Sequence, residues 1–207
     1  MTLAMLLPLL AGWAIAVISP GPATMAILNA ALAQGRMAAL AVTAGVCTGS
    51  LFWGSMAALG LGAALASNAW AFSLLRHGGA LYLLWLAWGA ARRAAQPGAA
   101  VPARGAVPVS PLRGWARGAA IHLSNPKAVF FWGSVFAVAL PQDAASGDVL
   151  TLLAACIAVS ITMLVGYALV FSTRRAVALY ARARRGIEAG FAAMFGAAGL
   201  SILLGRI

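Results

Sequence analysis

Apolar residues in this chain come in repeated blocks of about 18 to 30, with almost no acid or base inside them, and that pattern leaves few folds open. A backbone surrounded by hydrocarbon has to satisfy its own N–H and C=O groups, so blocks of this length become helices that span a bilayer. Composition agrees. Of 207 residues, 63% are hydrophobic and 8% charged, with a mean hydropathy of +0.95, whereas a soluble domain is about 25% charged and 45–50% apolar. A water-soluble domain of this size could not hide that much apolar surface.

Six blocks can be drawn: Leu3 to Ala33, Met37 to Leu65, Ala69 to Ala91, Gly114 to Leu140, Val149 to Ser172 and Ile187 to Gly205. They predict an all-α integral membrane protein with six transmembrane helices. The first block has 31 residues, about 46 Å as a straight helix against a hydrocarbon core near 30 Å, so it must tilt, overshoot or break. No Lys or Arg precedes its apolar run, so it reads as a retained span and not as a cleaved signal.

Charge then orients the helices. The net charge is +11, from 14 Lys and Arg against Asp143, Asp148 and Glu188. These bases stand between apolar blocks, not on an aromatic-laced soluble module, so they mark topology and attraction to lipid headgroups, with no nucleic-acid partner. Arg36 falls in the first loop, Arg92, Arg93, Arg104, Arg113 and Arg117 in or beside the third, and Arg174, Arg175, Arg182, Arg184 and Arg185 in the fifth. The second loop, at Ser67 and Asn68, has no charge, and the fourth carries Asp143. Positive-inside predicts cytoplasmic odd loops and both termini on the far, periplasmic side.

Residues 96–112, rich in Pro, Gly and Ala, read as a cytoplasmic linker between a first repeat over 1–95 and a second over 113–207. With an odd number of spans in each half, the second half enters the membrane upside down. The expected architecture is a 3+3 inverted-topology repeat, a common transporter plan, with the halves rocking against each other around a central site.

The leading helix of each half is interrupted: Ser19-Pro20-Gly21-Pro22 in the first and Ser124-Asn125-Pro126-Lys127 in the second. Proline removes an amide donor and clashes with the carbonyl four residues back, so each break frees backbone groups. Irregular backbone at this depth is tolerated only against protein or a cavity, and paired breaks point to a substrate site between them. Those eight residues are the predicted binding set. Lys127 costs about 2.5–3.5 kcal/mol at a helix centre and should face inward, toward a substrate carboxylate or toward carbonyls of the other break. His122 is the candidate proton carrier, the alternative being a hydrogen bond to a neighbouring helix. Gly45…Gly49 and Gly186…Gly190 read as close helix packing, and Glu188 as a carboxylate at the start of the last helix. Cys47 and Cys156 each stand alone in a block, so no metal site, redox pair or cofactor is expected.

Ser19-Pro20-Gly21-Pro22, Gln34-Gly35-Arg36, Gly79-Ala80-Leu81-Tyr82-Leu83 closing near Gly89, Asn125-Pro126-Lys127-Ala128 with Phe130-Phe131, and Pro141-Gln142 together resemble the lysine-exporter (LysE/RhtB) superfamily over essentially the whole chain. The resemblance implies a secondary active exporter of amino acids or derivatives in a bacterial inner membrane, working by proton antiport and forming a homodimer. In the second helix, where the family often has an acid, this chain has Gly49-Ser50-Leu51, and His122 stands where an Asn commonly precedes the Asn-Pro-Lys. Loss of the acid shifts the expected substrate from cationic to small neutral amino acids and makes Ser50 the second-helix polar position. The alternatives are a metal-ion or other small-solute exporter and a membrane-embedded enzyme, neither of which finds the ligands or acids it needs inside the blocks.

Overall fold

The two interrupted helices do break, and the residues around each break explain how. The computed structural model describes residues 3–61, 69–96, 110–140 and 145–204, and every regular element within them is helical. The helices are α1 (Leu3–Ile18), α2 (Pro22–Gln34), α3 (Arg36–Met56, continued by a π-helical turn over Ala57–Leu61), α4 (Ala69–Ala95), α5 (Pro111–Leu123), α6 (Pro126–Ala139), α7 (Ser146–Phe171) and α8 (Arg174–Leu203). Pro22, Pro111 and Pro126 each open a helix, where the missing N–H is not needed. Ser110 and Asn125 cap α5 and α6 by accepting from the backbone N–H of Arg113 and Lys127. Gly35 (φ 88°) separates α2 from α3 and Gly60 (φ 117°) ends the π turn, both in the left-handed region that glycine tolerates.

Among the described residues, two helices are long and apolar enough to cross a membrane alone, Arg36–Gly60 and Ser146–Phe171. Leu6–Ile18 and Pro22–Gln34, bent by 56°, make a third span if taken together. Several sequence expectations shift. The sixth block is part of a longer helix that starts at Arg174, so Arg174, Arg175, Arg182, Arg184 and Arg185 lie on its first turns and not in a loop. Glu188 is therefore deep in α8, away from the positive end of the helix. It is buried and accepts from Arg93 Nε of α4 at 3.0 Å. Pro111 and Leu112, counted with the linker, are already helical. Ser67, Asn68, Arg104, Pro141, Gln142, Asp143 and most of the linker lie outside the described residues.

Of the two glycine pairs, only the first is a packing device. A Cβ on Gly45 would run into the Trp115 carbonyl, and one on Gly118 into the Val42 carbonyl, while one on Gly49 would meet His122 Cβ at 2.9 Å. The α3 and α5 backbones therefore touch along parallel axes, aided by Trp115 Nε1 donating to Thr48 Oγ1 at 3.1 Å. A Cβ on Gly186 or Gly190 would meet nothing within 4 Å.

The tightest packing crosses the midpoint of the sequence. Besides α3 with α5, α4 runs antiparallel to α8, with Gly199 against Ala80 and Leu84 and the Arg93–Glu188 pair at the far end. The broken α1–α2 runs alongside α7: Trp13, Leu152 and Cys156 share one core cluster, and Ile27, Ala31, Leu164 and Ala168 share the other. Each half thus finds its main packing partners in the other. The α4–α8 pair touches the other helices at few points, among them Tyr82 against Phe130 (ring centroids 5.5 Å) and Phe171 against Tyr180 (5.2 Å).

Candidate functional site

At the first break, Ser19 N–H still reaches back to the Ile15 carbonyl and its hydroxyl donates to the Ala16 carbonyl at 2.7 Å. The Ser19 carbonyl has no helical donor beyond the Pro-Gly-Pro run. Thr24 Oγ1 supplies one at 3.2 Å and accepts from Gly21 N–H at 2.9 Å, which pins the loop. The second donor comes from the other break. Lys127 Nζ reaches the same Ser19 carbonyl at 3.2 Å and also the Ser19 hydroxyl. A Cβ on Gly21 would sit 3.7 Å from Lys127 Cδ and Nζ, in ordinary van der Waals contact, so the two breaks lie close together here.

Lys127 is 7% exposed, and its remaining neighbours are aromatic faces: Phe131 at 5.8 Å and Phe195 of α8 at 5.7 Å from Nζ to the ring centroid. Hydrogen bonds from a charged group contribute about 1.5–3 kcal/mol each, and a cation–π contact about 0.5–2 kcal/mol. Together they are of the size needed to offset the cost of placing lysine in a bilayer core, about 2.5–3.5 kcal/mol. Every one of these partners is neutral. A carboxylate would add the attraction of opposite charges to the hydrogen bond that neutral Ser19 offers, so an entering carboxylate competes well against Ser19 for the ammonium.

Beside this contact is a cavity of about 60 Å³. At about 15 Å³ per water position it holds roughly four waters, equivalent to roughly 120 Å³ of liquid, which suits a short amino acid and is small for an aromatic one. Ser19, Gly21, Thr24, Asn125 and Lys127 form its polar end. Trp13, Trp132 and Phe131 form an aromatic wall, and His122, Ser50 and Ser160 complete it from α5, α3 and α7. Among the described residues, no Asp or Glu lines it. Both His122 ring nitrogens are buried without a partner. Among the described residues, no group of three or more His, Cys, Asp and Glu could hold a metal ion.

Of the predicted residues, Ser19, Gly21, Asn125, Lys127, His122 and Ser50 meet at this cavity. Pro22 and Pro126 only start their helices, and Pro20 lines a neighbouring apolar groove between α7 and α8. Ser124 is exposed, its hydroxyl donating to the Ala120 carbonyl at 2.8 Å. Sequence reading overlooked Trp13, Trp132, Ser160 and Phe195. For Ser160 a signal existed, because it stands mid-block in the fifth apolar run as Ser50 does in the second.

A family model described as LysE type translocator matches residues 14–206. The chain is 26% identical over 193 residues to the threonine efflux protein of Escherichia coli (strain K12), covering 93% of this chain and 94% of that one. It is 28% identical over 162 residues to the homoserine/homoserine lactone efflux protein of Salmonella typhimurium, covering 73% and 72%. Against the leucine efflux protein of Enterobacter sp. (strain 638) it is 32% identical over 124 residues, covering 58% and 56%. No solved structure matches the chain.

Proposed function

This chain belongs to the LysE type translocator family, and from that premise we propose that it is a six-span secondary exporter of small neutral amino acids, coupled to protons, in a bacterial inner membrane with both termini periplasmic. The observation that carries the reading is the Lys127–Ser19 contact, which joins the two helix breaks across a buried cavity lined by no acid. A zwitterion fits such a site: its carboxylate takes Lys127 from Ser19, and its ammonium finds the Ser19 carbonyl so released and the aromatic faces. A cationic side chain would meet Lys127 with no counter-charge on the lining.

In this proposal α1–α2 and α5–α6 act as the two broken spans, and the parallel pairing of α1–α2 with α7 and of α3 with α5 supports an inverted repeat. The basic ends of α4 and α8 meet at Arg93, Arg184 and Arg185, as expected for one cytoplasmic face. His122 is the proposed carrier of the coupled proton, a reading supported by its two unpartnered nitrogens at the cavity. The relatives' names support amino acid efflux; the neutral class rests on the lining.

The test is efflux from cells preloaded with dipeptides, following every released amino acid with and without the protein. Faster release of short neutral amino acids is the expected result. If no amino acid leaves faster, the exporter reading fails.

A further inference from the structure

Hydroxyls in these helices mostly turn their protons back onto the carbonyl one turn earlier. Thr48 donates to Ala44, Ser124 to Ala120, Thr151 to Gly147, Thr162 to Ala158 and Ser172 to Ala168, at 2.7–2.9 Å. That habit satisfies a hydroxyl in an apolar setting without outside help. Ser50 and Ser160 depart from it. Both are buried, both line the cavity, and each is an acceptor: Trp132 Nε1 donates to Ser50 Oγ at 3.2 Å and Trp13 Nε1 to Ser160 Oγ at 2.9 Å. For Ser160 the usual acceptor is engaged, because the same indole also donates to the Cys156 carbonyl at 3.0 Å.

An indole N–H only donates, so each serine oxygen faces its tryptophan with a lone pair and its own proton is left for something else. The two indole rings pack against each other, centroids 4.5 Å apart, which fixes both donors at once. The result is a pair of hydroxyls lining the cavity, one from α3 and one from α7, neither of which donates a hydrogen bond of its own among the described residues. Buried donors of this kind are satisfied by water or by a ligand.

Resting on the exporter reading above, we propose that Ser50 and Ser160, each positioned by a tryptophan, are the specificity-determining pair that distinguishes a substrate with an oxygen on its short side chain from the hydrocarbon isostere. A hydroxyl oxygen entering the cavity accepts from these serines, while a methyl in its place strands two buried donors. A site built to bond a hydroxyl rejects the analogue lacking it far more strongly than an apolar slot rejects an extra hydroxyl. Lys127 then reads what all amino acids share, and the serine–tryptophan pairs read the side chain.

Threonine and valine provide the comparison, being nearly the same shape with a methyl in place of the hydroxyl. The purified full-length protein is reconstituted into vesicles loaded with equal amounts of both, and their exits are followed together under one imposed gradient. The expected threonine-to-valine ratio is about 10 to 100. Ser50→Ala, Ser160→Ala and the double variant should bring it toward one. Trp132→Phe and Trp13→Phe keep the ring but remove the N–H, freeing the serine to turn back onto its helix, and should lower the ratio in the same direction. Should an alanine variant lose its thermal transition in detergent, the phenylalanine variants carry the test. A wild-type ratio near one, serine variants that slow both solutes equally, or indole variants with an unchanged ratio would overturn the assignment while leaving the exporter reading intact. Vesicles that release neither solute defeat both.

Discussion

Lys127 is the residue whose inward position could be read before any coordinates, because an ammonium within an apolar block needs an interior partner. Carbonyls of the other break were one of its two expected partners, and the structure narrows them to that of Ser19, 108 positions away, a choice no local pattern encodes. Replacing it with methionine keeps the stem and removes the charge. We expect Lys127→Met to lower efflux about 100-fold or more, while the detergent melting temperature is maintained or rises, since the desolvation cost disappears. A melting temperature that falls together with transport would make the lysine structural. At His122 the expected outcome differs in kind. His122→Asn should keep amino acid exchange across vesicles with no pH difference and lose the acceleration an imposed pH difference gives. Equal loss in both assays would remove it from the proton path. Trp13 and Ser160 escaped the sequence reading because their contact spans 147 positions.

Among the elements, both breaks were legible because proline and glycine act locally, and the extents of the apolar blocks followed the helices to within a few residues. The exception was α8. Its first turns hold five arginines, so hydropathy placed the start of the span at Ile187 although the helix runs from Arg174. Glycine pairs were ambiguous for the opposite reason, since the pattern is local but its use depends on what lies opposite. Gly118→Val should cost about 1–3 kcal/mol or prevent folding, because its side chain would meet the α3 backbone. Gly190→Ala meets open space and replaces a poor helix former, so a gain of up to about 1 kcal/mol is expected. Thermal melts in one detergent would rank the two. The Arg93–Glu188 pair permits an asymmetric test. Glu188 is 1% exposed with Oε2 unpartnered, whereas Arg93 is 36% exposed. Arg93→Ala strands a buried carboxylate and should destabilise by about 3 kcal/mol or less, given the solvent around the arginine, whereas Glu188→Gln should cost clearly less. Equal losses would mean that the pair is only a surface contact.

Seen as a whole molecule, the Pro- and Gly-rich middle of the sequence suggests two parts, but the way they combine was not legible, because periodicity reports which face is apolar and never whose face covers it. The α3 glycines lie against α5, α4 lies against α8, and α7 covers the broken first span, so each part packs much of its apolar surface against the other. Covalent continuity between them is then dispensable. Co-expressed as two polypeptides, residues 1–96 and 110–207 should assemble in the membrane, purify together through a tag on either one and restore efflux, whereas each by itself should be degraded. Gene fission would be tolerated here for the same reason that two strands of a rope need no knot once they are wound.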